Sequence, residues 1–270
     1  MLEPDVVSEL LDAFTDSAVA RKRGKEVHTL RGVRGVPTGE IARVAAAVWE
    51  EQEPTIADEA ALTRLFGTAW EDGLIAIGLL AAILPDAPNE ALDIARDWAD
   101  RVDDHQTADA LGSLLLGPGV LASGVDPVKA LNPLLHHRRA AVRRAAVLAG
   151  LAMVPEELTG PSVAPLRARL GSEGVMFVDA PRTKQVRALV DAGLRDPDAS
   201  VRKGLRRVVS AWAVHDPDHA EAWMEAVKGG VPKIIKEAVV KGARKGRRLA
   251  ARAERAAAEA AADGGVDTDA

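Results

Sequence analysis

The chain has 270 residues, a formal net charge of -5, 47% hydrophobic and 28% charged residues, and no cysteine. Disulfides and thiolate metal sites are therefore excluded, and any contact with nucleic acid must come from a local basic patch. Tyr is absent and Phe is scarce, so five Trp residues supply nearly all the aromatic surface, and the abundance of Ala and Leu argues for helices.

Apolar residues recur at helical spacing almost throughout. Val6 to Phe14 reads as a first helix, and the basic stretch Arg21 to Val36 as a loop. Thr38 is an N-cap, with Ile41, Val44, Ala45 and Val48 forming a stripe behind it. Helices follow over Glu59 to Phe66, Asp72 to Leu84 and Asn89 to Val102, with Pro85 and Pro88 at the last junction. The longest apolar run, Leu74 to Leu84, suits a buried core helix and is too short to span a bilayer. Gln106 to Leu116 is another helix, closed by Gly117-Pro118-Gly119. Pro127 to Leu135, Ala140 to Met153 and Pro165 to Leu170 continue the series, and Gly171 to Pro181 reads as a loop. Helices resume over Lys184 to Leu194, Val201 to Val214 and Ala220 to Val227. From Pro232 the chain is basic, then Ala-rich, and ends in an acidic Gly-containing stretch with the composition of disorder.

Two phrases define how the helices are arranged. Asp196-Pro197-Asp198-Ala199-Ser200-Val201-Arg202 ends one helix and opens the next, with Val pointing inward and Arg left at the surface. This is the phrase that opens the second helix of a HEAT-type repeat, and a weaker relative lies at His137 to Val147. They imply an all-α, HEAT-like solenoid with a concave face. Residues 1–231 form that domain, and 232–270 form a basic helical extension and a disordered acidic tail. The N-terminus is acidic and lacks the apolar stretch of a signal peptide, so the expected location is cytoplasmic.

The segment Trp98 to Asp109 is the richest in chemistry. Asp103 or Asp104 caps the helix that carries Asp109, and His105 and Asp109, four apart, share a face. Of the adjacent pair Arg143-Arg144, one must lie nearer the apolar stripe, and a half-buried Arg needs an anion. Asp109 and Arg144 could thus share a groove. Lys203, Arg206 and Arg207 form a cluster near it, while Lys241, Arg244, Lys245, Arg247 and Arg248 make a positive strip on the C-terminal stretch. Arg21, Lys22, Arg23 and Lys25 read as a solvated loop. In His215-Asp216-Pro217-Asp218-His219 the Pro breaks any helix that would align the two imidazoles, so no metal site is expected. No P-loop, dinucleotide fingerprint or Ser-His-Asp order is present, and no cofactor is expected.

From Arg34 to Val227 the chain resembles the AlkD-type DNA alkylation repair glycosylases, which are built from HEAT-like repeats. The resemblance rests on Gly35-Val36-Pro37 through Arg43, Leu65-Phe66 with Trp70-Glu71, Val102 to Asp109, Val142 to Val147, and Lys203 to Pro217, in shared order and spacing. It implies excision of N3- and N7-alkylated purines from duplex DNA by a monomer. Asp109 then occupies the catalytic carboxylate position, and Arg144 that of an Arg holding the DNA backbone. His105 and Arg207 stand where the family has its two cleft Trp residues. Two alternatives accompany this reading: a catalytically silent DNA-binding module of the same fold, and a protein–protein scaffold with the C-terminal strip as its docking tail.

Overall fold

One helix is apolar all the way round, and such a helix must be covered on every side. Trp70–Ile83 is buried at each of its 14 positions. The computed structural model describes residues 1–171 and 175–263, with side chains to residue 260. Its first half contains α1 (Pro4–Asp12), α2 (Ser17–Val27), α3 (Thr38–Gln52), α4 (Glu59–Thr68), α5 (Trp70–Ile83), α6 (Pro88–Ala99), α7 (His105–Leu111) and α8 (Gly117–Ser123). Its second half contains α9 (Pro127–Leu135), α10 (Ala140–Leu148), α11 (Ala164–Leu170), α12 (Thr183–Gly193), α13 (Ala199–His215), α14 (Pro217–Ala226) and α15 (Lys233–Asp263). Two isolated bridges, Gly32 with Ala69 and Leu158 with Val175, are the only β-pairing among the described residues. No described helix is long and apolar enough to cross a membrane.

The fold is an all-α helical repeat. An inner row, α5, α7, α10, α13 and α15, packs each helix against the next, and α4, α6, α9, α12 and α14 pack behind it. Ile235, Val239 and Ala243 of α15 are buried, so the first half of that helix joins the core and leaves its Ala-rich second half exposed. The acidic end at 264–270, expected to be disordered, lies outside the described residues, as do residues 172–174 of the expected Gly171–Pro181 loop.

Several boundaries differ from the sequence reading for identifiable reasons. Residues 17–27 are helical, because Asp16 caps α2 by accepting from Ala18 N at 2.7 Å and Val19 N at 3.0 Å. Thr38 is the first residue of α3 rather than its cap, and Pro37 holds the cap position. Gly117-Pro118-Gly119 does not stop the helix that begins at His105. A π-helical turn, Gly112–Leu116, feeds directly into α8, with Pro118 just after the wider turn.

Two covers close over α5. At its start, Glu71 and Asp72 are both fully buried. Glu71 accepts from Arg23 Nη1 at 3.0 Å, Arg34 N at 3.0 Å, Gly35 N at 2.9 Å and Val36 N at 3.2 Å. Asp72 takes Arg34 Nε at 2.6 Å, Arg34 Nη2 at 3.0 Å and the Ser8 hydroxyl at 2.7 Å. Every buried oxygen is thereby partnered, as burial of charge demands. Gly35 is required at its position: its φ is +85°, and a Cβ there would collide with the backbone of Asp16 and Ala20. Arg23, expected in a solvated loop, is a structural cation, and its guanidinium also lies 4.9 Å from the Trp70 ring centroid.

The second cover comes from between α10 and α12, where the chain leaves the stack. Residues 154–171 and 175–182 belong to a strap whose neck is pinned by Arg182 N donating to Met153 O at 2.8 Å. Its 3-10 turn Pro161–Val163 and α11 pack onto α3 and α5. Gly78 permits this approach, since a Cβ there would overlap the Ser162 carbonyl and meet Pro165 Cδ at 3.0 Å. Arg169 anchors the strap by donating to Ala82 O and to Asp86 Oδ1 at 2.8 Å.

Replacing Arg34 by Ala leaves Asp72 buried without its cation. A loss of about 3–5 kcal/mol of stability is expected, read from urea unfolding followed by tryptophan fluorescence. A loss comparable to that of an exposed ion pair, under about 1 kcal/mol, would contradict this account of the α5 cover.

Candidate functional site

The N-terminus of α7 is fixed before any site residue is placed. Asp104 is the cap, its Oδ1 accepting from Gln106 N at 2.9 Å and Thr107 N at 2.8 Å. Its Oδ2 receives Arg31 Nη2 at 3.0 Å, and Trp70 Nε1 lies 3.4 Å from Oδ1. Asp103 turns instead to the preceding loop, accepting from Thr29 Oγ1 at 2.9 Å and from Leu30 N. With the helix so anchored, Gln106, Asp109, Ala110 and Ser113 fall on one open face.

Asp109 is the centre of a three-residue ion cluster. Arg144 of α10 donates Nε to Oδ1 at 2.6 Å and Nη2 to Oδ2 at 3.0 Å. Arg207 of α13 donates Nη1 to Oδ2 at 2.5 Å. The two arginines differ sharply. The Arg144 side chain is 7% exposed and its Nη1 also donates to Ser200 O at 2.5 Å, so it ties three helices together. The Arg207 side chain is 53% exposed and holds Asp109 through one N–H. Asp109 itself keeps 24% of its side chain open to solvent.

Two clefts meet at Arg207. The first, about 360 Å3, runs between α7 and the strap. Asp109, Gln106 and Ser113 form one wall, Glu156 to Ser162 the other, and Trp70 and Leu74 the apolar floor. The second, about 450 Å3, is lined by Arg144, Lys203, Arg206, Arg207, Lys245 and Glu156, among others. It is strongly cationic and suited to anions.

The expected site residues distribute unequally over this surface. Asp109, Arg144 and Arg207 come together, and Lys203 and Lys245 join them on the cationic side. His105 is exposed at the first turn of α7 and lines neither cleft; Gln106 takes the wall position beside Asp109. The C-terminal strip divides by helical phase. Lys245 faces Arg207, and Lys241 lies one turn before it, exposed. Arg244, Arg247 and Arg248 line a shallow surface beside Glu221. Arg247 is already engaged there, with Nη2 at 2.6 Å from Glu221 and 2.8 Å from Asp218. Those carboxylates hold its guanidinium more firmly protonated than usual, Glu221 above all.

Sequence reasoning passed over Glu156. It is half-buried, lines both clefts, and makes no ion pair among the described residues. Burial holds the nearby His215 imidazole below its ordinary value, with Lys245 adding to the effect and Glu156 opposing it, so His215 is neutral at pH 7. Nothing in the local sequence singled Glu156 out, because its position depends on a strap that returns across the stack. No group of three or more acidic or imidazole side chains among the described residues could hold a metal.

Fold and site together define a helical-repeat protein with a carboxylate set among arginines at the edge of a cationic groove. A family model described as DNA alkylation repair enzyme matches residues 7–259. The chain belongs to that family. Comparison with curated proteins returned no match.

Proposed function

We propose that the chain binds duplex DNA along the face that carries both clefts and hydrolyses the N-glycosidic bond of N3- or N7-alkylated purines. The observation that supports this most directly is Asp109, partly open at the cleft wall with both oxygens aimed by Arg144 and Arg207. Alkylation gives the base a positive charge, so it leaves with the bonding electron pair as a neutral molecule. The deoxyribose becomes an oxocarbenium ion, water adds to its C1′, and the water's proton is released. A carboxylate beside C1′ favours the charged transition state over the ground state.

Two guanidiniums on one carboxylate work against that role, and their unequal exposure resolves the conflict. Arg144 stays on Asp109 and orients it. Arg207, half exposed and held to Asp109 through one N–H, moves to a DNA phosphate, where its planar fork can bond two oxygens. Lys203 and Lys245 supply further phosphate contacts. DNA binding thereby raises the effective negative charge at Asp109 at the moment it is needed.

The catalytically silent reading of the same fold draws on two observations: both Asp109 oxygens are occupied, and His105, at the position of a family cleft Trp, lines neither cleft. Release of 7-methylguanine from methylated duplex DNA separates the two. Asp109→Asn should lose roughly 100-fold or more in single-turnover rate with DNA affinity close to wild type, measured well below a melting temperature that falls because the nearly buried Arg144 loses its counter-ion. If wild type releases no base yet binds DNA as the variant does, the enzyme reading fails and the binding module replaces it.

The division of the basic strip gives a second outcome. Lys245→Ala should lower DNA affinity and reduce the salt slope by about one unit. Arg247→Ala should leave the slope unchanged, because Arg247 is spent on Glu221 and Asp218. Equal effects of the two substitutions would contradict the assignment.

A further inference from the structure

Helix α15 outlasts the stack that holds it. Its burial follows helical spacing, at Ile235, Ala238, Val239, Gly242, Ala243 and Gly246, and then ends: every residue from Arg247 to Ala260 is exposed. The buried half is firmly set. A Cβ at Gly242 would lie 2.7 Å from the Ser210 carbonyl oxygen and 2.9 Å from Ala213 Cβ, and one at Gly246 would overlap the Val214 carbonyl. The backbones of α13 and α15 thus touch over the last turns of α13, and this contact fixes the direction of the free half. It leaves beside the start of α14, where Arg247 is held by Asp218 and Glu221.

The charges along α15 are sorted by face. At 3.6 residues per turn, Lys241, Arg244, Lys245, Arg248, Arg252 and Arg255 fall within an arc of about 100°, on a stripe about 21 Å long. Arg247 and Glu254 lie outside that arc, and Glu237 and Glu259 share it only beyond the two ends of the stripe. None of the six cations makes an ion pair among the described residues, whereas Arg247 makes two. A helix that is merely solvated mixes signs and gains from i,i+4 pairs of opposite charge. Here Lys241 with Lys245, Arg244 with Arg248, and Arg248 with Arg252 are like-charged i,i+4 pairs, and each is repulsive. A polyanion laid along the stripe relieves that repulsion. The opposite face of the free half carries Leu249 and otherwise Ala, which offers a bilayer little to take up. At the edge of the stripe, Lys245 lines the cationic cleft with Lys203 and Arg207, so the two surfaces are continuous.

We propose that the exposed half of α15 is a fixed cationic arm that lies along the backbone of duplex DNA outside the clefts. Arg248, Arg252 and Arg255 add phosphate contacts beyond the helical stack. This rests on the DNA-binding part of the proposed function and not on its chemistry.

The test uses the full chain and an unmodified duplex, because the arm needs no lesion. Affinity is followed against salt by fluorescence anisotropy for wild type and two variants. In the first, Arg248→Gln, Arg252→Gln and Arg255→Gln remove the charge with a residue of similar helix propensity. In the second, Arg248→Ala, Arg252→Ala and Arg255→Ala are combined with Ala250→Arg, Ala253→Arg and Ala257→Arg, which restores the net charge on the opposite face. All six positions are exposed, so melting temperature and far-UV circular dichroism should match wild type. Both variants should lose about two to three units of salt slope, one for each contact removed. An unchanged slope in the first variant would overturn the proposal and leave the stripe to an acidic protein. A wild-type slope in the second would show that net charge acts rather than the stripe, and would overturn it equally. Base release from alkylated duplex with a slope indifferent to the stripe sinks only the arm. Stripe-dependent binding without any base release sinks only the glycosylase. Absence of duplex binding by wild type would overturn the arm and the DNA reading together.

Discussion

Helix α5 offers no face to water, and much of the molecule is arranged to satisfy it. A helix of this kind inside an ordinary two-layer repeat would leave one apolar side exposed. Two covers prevent that. The loop ahead of α3 closes over its first turn and is held by Glu71 and Asp72, whose burial is tolerable only because Arg23, Arg34 and four backbone or hydroxyl donors surround them. The strap closes over its last turns and is held by the contact at Gly78 and by Arg169. Both covers also shape the site. The first orders Arg31 against Asp104 and so sets the start of α7; the second forms the wall opposite Asp109.

Charge is distributed over the site in the same economical manner. Arg144 is nearly buried and saturated, which makes it a structural tie among α7, α10 and α13 as well as an orienting group for Asp109. Arg207 is half exposed and singly bonded to the same carboxylate, which makes it the movable member. On the proposed function, a fixed arginine and a movable one on a single carboxylate would couple DNA binding to the charge available for chemistry. That coupling needs no rearrangement of the helices, only a rotamer change in one long side chain, a fast motion for an exposed residue.

Much of the architecture was legible in the sequence. The 3.6-residue periodicity located almost every helix, and the unbroken apolar run from Leu74 to Leu84 correctly marked a helix buried all round. The adjacent pair Arg143-Arg144 announced that one guanidinium would be drawn inward to an anion, and Asp109 is that anion. What local pattern could not supply was everything set by chain return. The cap at Asp16 was hidden inside a basic stretch, the π-helical turn hid behind a Gly-Pro-Gly that resembles a stop, and Glu156 reaches the site only because the strap crosses back to α5. Helical phase along α15 separates Lys245 from Arg247, a distinction that a count of basic residues cannot make. Spacing put His105 on the face of Asp109 and the family resemblance put it in the cleft, yet His105 lines neither cleft and Gln106 takes the wall beside Asp109.

The movable arginine is the central claim, and a crystal structure of the chain bound to duplex DNA carrying a non-hydrolysable N7-alkylpurine nucleotide tests it most directly. The account predicts that Arg144 remains on both oxygens of Asp109, while Arg207 has left Oδ2 and lies about 2.7–2.9 Å from a phosphate oxygen. Arg207 still bonded to Asp109 in that complex, or DNA seated on the face opposite the two clefts, would contradict it.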